Sequence, residues 1–543
     1  MAKYIFVTGG VVSGLGKGIT AASLGKLLRL RGYKVSVQKI DPYLNIDPGR
    51  MSPYEHGEVF VTDDGAETDL DIGHYERFLD INCCYKSDIT SGQIYSSILS
   101  KERNGEYGGL TVQIVPHVTN EIKDFMRAIG EGQDIVIIEI GGTVGDMEQA
   151  VFIEAIRQFR HELGANNSVS VHVTLIPYIA SSGEIKTKPT QNSVKDLQRM
   201  GVFADVLVCR TTADVELGQE HRDKIAMFCG LDNQEDVIHN RDCRTIYEVP
   251  LMFEKQNFYT IVLKKLNLKL NKCDLTAWGQ MVDKLCDDSL PEATVAIVGK
   301  YTEVADAYIS VTEALKHAGI VNDVRVNVKL VQAENIERDG AEAWLRSVHG
   351  VIIPGGYGNR GVEGKVAAAE YARLNEIPCL GIGLGMQAAV IEFARHACGI
   401  KNANSTEFAE KIKNAVVHKI PEQKDIHTKG GTSRLGLYDC QIKAGTLAAQ
   451  LYGKNTVQER HRHYYEINND YRAQLEAAGL VISGVNPQAN LVEIVEVPNH
   501  PFFVACLFHP EFISRPQRPH PLFKGLIAAV AKRLPLQSEF DLR

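Results

Sequence analysis

The sequence predicts an α/β protein built from two doubly wound parallel sheets in series, and three observations carry that prediction. Short apolar runs of the kind that form fully buried strands alternate with helical stretches through the first half, at 4–7, 34–38, 134–140, 169–175 and 205–208. Gly-rich turns follow several of these runs, as where the strands of a parallel sheet hand over to covering helices. After a polar stretch from about Lys264 to Pro291, read as a linker carrying one helix, the alternation restarts at Thr294-Val295-Ala296-Ile297-Val298-Gly299 and continues through Gly350-Val351-Ile352-Ile353-Pro354. At 543 residues, the chain is long enough for each half to bury its own core.

Composition narrows the class. A hydrophobic content of 44% and a charged content of 23% are ordinary for a globular chain, and a net charge of −8 gives no general attraction to nucleic acid or an anionic membrane. The 11 cysteines are scattered apart from Cys83-Cys84 and form no CxxC pair, which fits free thiols in a reducing compartment rather than a disulfide framework or structural zinc. No apolar run approaches the ~18 residues of a membrane span. The stretch 1–8 enters a strand directly, without a signal-peptide layout, so the cytoplasm is the expected location.

The first strand runs into Thr8-Gly9-Gly10-Val11-Val12-Ser13-Gly14-Leu15-Gly16-Lys17-Gly18-Ile19-Thr20 and then a helix rich in Ala and Leu. Glycines let the backbone N–H groups curl around a phosphate, the helix N-terminus adds a favourable dipole, and Lys17 supplies a point charge. The turn is P-loop-type but departs from Walker A: its glycines are one residue further apart, and Gly18 stands where Ser or Thr is usual. The second strand ends in Lys39-Ile40-Asp41-Pro42-Tyr43, at the sheet edge where doubly wound folds place ligand groups. The acidic run Asp63, Asp64, Glu67, Asp69, Asp71 reads either as a solvated face or as a source of metal ligands. Glu139 closes a buried strand, where an unpaired charge would be costly, so Asp71 and Glu139 are the candidate Mg²⁺ ligands. A second phosphate cradle is expected at Gly183-Glu184-Ile185-Lys186-Thr187-Lys188-Pro189-Thr190-Gln191, joined by Lys224. Two phosphate sites with a metal suggest a kinase-like or ligase step.

In the second half, Gly-Ile-Gly-Leu-Gly-Met-Gln at 381–387 follows an apolar run and precedes a helical pattern. That is a strand turning sharply into a helix, which lifts a nucleophile from the sheet edge and aims backbone N–H groups at an oxyanion. Gly383 occupies the nucleophile position. Far downstream, His509 and Glu511 in Phe508-His509-Pro510-Glu511-Phe512 suit a base and its orienter.

Together these segments resemble the CTP synthase family, over nearly the whole chain. The likeness includes the turn around Lys17, 39–43, Met51-Ser52-Pro53, His56-Gly57-Glu58-Val59, Glu67-Thr68-Asp69-Leu70-Asp71, Ile140-Gly141-Gly142-Thr143 and 186–191. It continues through Pro354-Gly355-Gly356, Asn402-Ala403-Asn404-Ser405-Thr406-Glu407, Glu459-Arg460-His461-Arg462-His463 and His509-Pro510-Glu511. The resemblance implies an amidoligase (synthetase) domain at 1–266, a linker at 267–292 and a class I glutamine amidotransferase domain, flavodoxin-like α/β, at 293–543. It implies that ATP phosphorylates O4 of UTP, that ammonia attacks C4, and that phosphate leaves to give CTP. Carried over by position, Gly14, Leu15, Gly16, Lys17, Gly18 and Ile19 would hold ATP, Lys39 would stabilise the transferring phosphoryl, and Asp71 with Glu139 would hold Mg²⁺. Ser13, Lys186, Thr187, Lys188, Pro189, Thr190, Gln191 and Lys224 would bind UTP. Asp146 and Glu148 would sense CTP, and His56 would stand near the ammonia entrance. Gly356, Leu384, Gln387 and Glu407 would surround the glutamine site, and the family likeness further implies a homotetramer.

The chain departs from the family's pattern in the glutaminase half. The family has Cys in Gly-Ile-Cys-Leu-Gly-Met-Gln, where this chain has Gly383, and Cys379 lies about 13 Å back along the strand at ~3.3 Å per residue. The family reads His-Arg-His-Arg-Tyr-Glu, its last Arg clamping the glutamine carboxylate, where this chain has His461-Arg462-His463-Tyr464-Tyr465-Glu466. Both losses touch glutamine, so the expectation is amination from free ammonia with a silent glutaminase. GTP activation, which in the family promotes the glutamine half-reaction, then has little to act on. Further departures are Arg50 for Thr, Asp146-Met147-Glu148-Gln149-Ala150-Val151, and Asn192 for His. Two other readings stay open: a paralogue joining another small amine to the activated uracil, and a non-catalytic nucleotide-binding regulator.

Overall fold

The computed structural model describes residues 2–12, 14–211, 215–409, 412–419 and 434–535. Ser13, one of the expected nucleotide contacts, lies outside the described residues, as does the segment 536–543. Contacts divide the chain into two compact units, Met1–Pro48 with Asp71–Cys286, and Gly49–Leu70 with Asp287–Arg543. No described helix is long and apolar enough to cross a membrane.

The first unit is built on a seven-stranded sheet, ordered from edge to edge Val237–Arg241, Val206–Thr211, Ser168–Ile176, Lys3–Gly9, Ile135–Ile140, Val35–Asp41, Asp88–Thr90. Every pairing in it is parallel. Period-two alternation puts Phe6, Val136 and Ile138 into one buried cluster with Phe152, Ile153 and Phe159. The neighbouring Ile5, Val7, Ile135 and Ile137 are equally buried, as strands covered on both faces require. The chain winds outward in both directions from Lys3–Gly9, so the crevice at that strand's carboxyl end is the topological switch point. Gly14, Leu15 and Gly16 lie there, ahead of the helix Lys17–Leu30.

The polar stretch after 264 is not free chain. It carries the helix Thr276–Leu285, whose Trp278, Met281 and Val282 are buried at helical spacing. The Trp278 indole N–H donates to the Tyr247 carbonyl at 2.8 Å, its ring lies 5.7 Å from the rings of both Tyr247 and Phe78, and the Lys26 ammonium sits 4.4 Å from its centroid. This anchor places residues up to Cys286 with the first unit.

The second unit is a nine-stranded sheet ordered Arg325–Gln332, Glu292–Gly299, Gly350–Ile353, Cys379–Ile382, Phe503–Cys506, Leu491–Glu496, Val481–Asn486, Arg434–Ile442, Thr456–His463. The first five strands pair in parallel and the rest antiparallel, with one apolar cluster on each face. Residues 49–70, which interrupt the first half in sequence, pack here. Phe60 meets Phe512 edge-on at 5.0 Å, Arg460 donates to Asp63 at 2.6 Å, Arg462 donates to Glu67 at 2.7 Å, and Glu58 accepts from the Ser310 N–H at 3.2 Å.

Trp278→Ala empties a large buried site and removes an indole hydrogen bond. It should lower the stability of the first unit by about 3–5 kcal/mol, read as an earlier transition in chemical denaturation.

Candidate functional site

At the switch point of the first unit, three elements bring charge together. The register of the parallel ladder sets Lys39 beside Glu139. The helix Leu70–Leu79 opens with Asp71 in its first turn, where a carboxylate is favoured by the dipole. The Lys39 ammonium donates to Asp71 Oδ2, lies 3.4 Å from Glu139 Oε2, and is 3.9 Å from Asp41 Oδ1. Tyr75, one helical turn past Asp71 on the same face, donates its hydroxyl to Glu139. Lys17 donates to the Gly142 carbonyl at 2.8 Å.

Electrostatics follow from this crowding. Burial pushes the Glu139 carboxyl up, against the pull of Lys39. Burial also works to raise Asp71, but Lys39 and neighbouring positive charge hold it below the usual carboxylate range. Burial lowers the Lys17 ammonium, opposed chiefly by Glu139. A divalent cation fits here on the donor set: two carboxylates from separate elements already converge on one cationic position, and Mg²⁺ needs only one or two of them. Gly18 has a physical reason as well, because a Cβ at that position would lie 2.0 Å from Asp71 Oδ1. The carboxylate occupies the space that a Ser or Thr would take.

The turn before the helix has Gly14 at φ +71° and Gly16 at φ +78°, Leu15 buried beneath it, and no side-chain cap on the first turn carrying Gly18 and Ile19. Such a terminus is open to an anion. In the expected second cradle, Lys186 and Lys188 are exposed, and Lys186 pairs with Glu184. Thr190 turns inward to the Leu175 carbonyl at 3.1 Å, and Gln191 bonds Thr187 at 3.1 Å where Pro189 begins a helix. Lys224 is exposed on Gln219–Cys229, and Asp146 and Glu148 are exposed, with Asp146 accepting from the Thr143 N–H at 3.3 Å. The acidic run divides: Asp63 and Glu67 pair with Arg460 and Arg462, Asp69 lies 3.4 Å from His56, and Asp71 joins Lys39.

In the second unit, the strand Cys379–Ile382 turns at Gly383 (φ +54°, ψ −112°) into the helix Leu384–His396. This is the strained elbow geometry. A Cβ at Gly383 would stand 3.3 Å from His509 Nε2. His509 Nδ1 is 2.7 Å from Glu511 Oε1, and its ring stacks on Phe512 at 5.1 Å. Gly355 must be glycine, since a Cβ there would lie 2.8 Å from His509 Cε1. Cys379 is buried in the strand, and burial pushes its thiol pKa well up. Sequence reasoning missed the two lysines that brace the loop 354–358. Lys365 donates to the Pro354 carbonyl at 2.6 Å, and Lys300 to the Tyr357 carbonyl at 2.8 Å. Glu407 takes the Gly358 N–H at 2.6 Å. The space framed by Gly356, Leu384, Gln387, Glu407, Tyr464 and His509 amounts to about 30 Å³.

Behind His509 lies a buried ionic cluster. Arg434 is 2.9 Å from Glu493 and 3.2 Å from Glu466, and His461 is 3.1 Å from Glu493 and 2.8 Å from His463. Burial lifts the Glu466 carboxyl to about 8, against the pull of Arg434.

Residues 3–268 match the CTP synthase N-terminus family model, and residues 303–529 match that of the class I glutamine amidotransferases. The chain is 55% identical to the CTP synthase of Methanocaldococcus jannaschii over 97% of its own length and 98% of that protein. It is likewise 55% identical to the CTP synthase of Caldanaerobacter subterraneus subsp. tengcongensis over 98% of each. The chain belongs to the CTP synthase family. A solved glutaminase domain of Trypanosoma brucei CTPS with bound acivicin is 40% identical, with a TM-score of 0.42, covering 45% of this chain and 96% of that one.

Two outcomes follow for this CTP synthase family member. Gly18→Ala should displace the Asp71 carboxylate and cut UTP-dependent ADP release by about 10²-fold, since small misplacements of positioned groups cost that much; circular dichroism would show the fold intact. Glu466 is raised from 4.5 to about 8 in the folded chain, so the stability it contributes is full below 4.5 and is lost as pH rises towards 8. Glu466→Gln should flatten that slope in denaturation curves taken across the window.

Proposed function

We propose that this chain aminates UTP at C4 to give CTP, driven by ATP through a UTP phosphorylated at O4, and takes its nitrogen as free ammonia or a small amine rather than from glutamine. The single observation that carries the second half is Gly383, which offers His509 Nε2 no group to activate at the position 3.3 Å away. One other observation supports it. At the position of the family's last Arg, Tyr464 packs 6.5 Å from the Tyr357 ring and offers a neutral hydroxyl instead of a charged fork.

In this reading the Gly14–Ile19 turn and helix terminus receive the ATP phosphates, with Lys17 as a point charge. Lys39 draws the transferring phosphoryl forward by neutralising charge as it moves. Mg²⁺, held by Asp71 and Glu139, would supply further neutralisation. Phosphoryl transfer asks for positioning and charge rather than covalent help from the protein, and these side chains provide both. Lys186, paired with Glu184, and Lys188 are exposed and would face the UTP phosphates, whereas Thr190 and Gln191 serve mainly to hold the loop. The intact Lys39–Asp71–Glu139 cluster favours catalysis over a purely regulatory role.

Purified protein with UTP, ATP and Mg²⁺ should form CTP from ammonium and none from glutamine. Gly383→Cys with Tyr464→Arg should restore glutamine use, detected as a γ-glutamyl thioester by mass spectrometry. A matching rate from glutamine in the unaltered chain would sink the reading.

A further inference from the structure

The Lys17 side chain is held at both ends. Its stem crosses Gly9 so closely that a Cβ there would lie 2.6 Å from Lys17 Cδ, and its ammonium donates to the Gly142 carbonyl at 2.8 Å. Where the charge stands therefore depends on where the segment 141–144 holds that carbonyl. Backbone bonds fix the two ends of the segment: the Gly141 N–H donates to the Ile40 carbonyl at 2.7 Å, and the Val144 N–H to the Gly9 carbonyl at 2.8 Å. Between them stand two consecutive glycines, Gly142 at φ +74°. A side chain at Gly141 is excluded, since its Cβ would lie 2.6 Å from Asp41 Oδ1. Sterics restrain such a pair only weakly, so a hydrogen bond must set the orientation of its peptide.

One side chain supplies that bond. Gln149 ends the short turn Met147–Gln149 before the helix Ala150–Leu163, and its amide Nε2–H donates to the Gly141 carbonyl at 2.6 Å. The turn is itself tied to the segment, the Asp146 N–H donating to the Thr143 carbonyl at 3.0 Å and the Gln149 N–H to the Asp146 carbonyl at 3.2 Å. Gly141 is buried, so taking the amide away leaves its carbonyl short of a donor, and the peptide would turn to find another. Gln149 is itself fully buried, and its Oε1 accepts no hydrogen bond from any described residue. An apolar side chain of that volume would pack there without the penalty of an unmet acceptor, so the position costs packing energy and serves the hydrogen bond. The charges around Lys17, those of Glu139, Lys39, Asp71 and Asp41, act on its ammonium and leave the orientation of the glycine pair to Gln149.

We propose that Gln149 is a positioning residue for nucleotide binding: its amide fixes the Gly141–Gly142 peptide and so sets where Lys17 presents its ammonium to a polyphosphate. The proposal rests on the reading of the Lys17 turn as the ATP phosphate site and is independent of the nitrogen source. Gln149 acts through one carbonyl and one lysine, not on the reacting atoms. It lies in the stretch 146–151, where this chain departs from the family's pattern, so the device belongs to this chain's own sequence.

The test is a double-mutant cycle on the full-length protein, read as the calorimetric affinity for a non-hydrolysable ATP analogue with Mg²⁺, with melting curves to establish folding. Gln149→Met keeps the volume and drops the donor, and should weaken binding about tenfold, the worth of one hydrogen bond to a charged group. In a Lys17→Ala background the same substitution should cost nothing further, because the group it positions is gone. Gln149→Asn, which keeps an amide on a stem one methylene shorter, should repeat the pattern and serves if the Met variant does not fold. A purely structural glutamine would give the same loss with and without Lys17. That result, or no loss from either Gln149 variant, overturns the proposal while leaving the ATP reading standing. Unchanged affinity in Lys17→Ala alone overturns the ATP reading of the turn and the proposal with it.

Discussion

One buried ammonium organises the synthetase half. Lys39 lies between Asp71 and Glu139, and each of the three would be prohibitively costly to bury alone. Their mutual compensation ties the strand Val35–Asp41 to the strand Ile135–Ile140 and to the helix Leu70–Leu79, fixing the shape of the crevice at the switch point. The balance is deliberately incomplete: with Asp41 there are three carboxylates against Lys17 and Lys39. One more carboxylate than ammonium in the cluster favours a bound cation there. Gly18 is part of the same constraint, since only a residue without a Cβ leaves room for the Asp71 carboxylate.

The amidotransferase half turns on a strained elbow. The elbow at Gly383 keeps φ +54° and ψ −112°, a conformation that costs an ordinary residue about 1–3 kcal/mol. Glycine adopts it without that strain. Glycine at this position therefore relieves strain that any other residue would carry. Gly355 still clears the imidazole, Phe512 still stacks on it, and Glu511 still orients it.

What could be read from the sequence was what depends on local pattern. Buried strands declared themselves through apolar runs, and Glu139 through the anomaly of a carboxylate closing one of them. The strands Asp88–Thr90 and Val237–Arg241 were not legible: the first is too short to show a period, and the second reads polar because His239 and Asn240 are buried by their neighbours. Tyr75 was recoverable in principle, one turn from Asp71 on the same helix face. Lys300 and Lys365 were not, because nothing local marks a lysine whose ammonium will be spent on carbonyls 11 and 57 residues away. The acidic run looked like one feature and proved to be several, since its partners Arg460 and Arg462 are separated from it by 397 and 395 positions.

Those two arginines also hold the 49–67 segment within the second unit. Arg460 is fully buried, its guanidinium committed to Asp63 and the Val61 carbonyl, and Arg462 is committed to Glu67 and the Gly49 carbonyl. Removing either partner would strand a charge in a low-dielectric interior at a cost of about 3–5 kcal/mol. The strand Thr456–His463 thus holds both ends of the 49–67 segment, which runs on through Asp69 into the helix that begins with Leu70 and Asp71. Asp71 therefore lies four residues along the chain from a segment whose conformation the second unit's fold dictates.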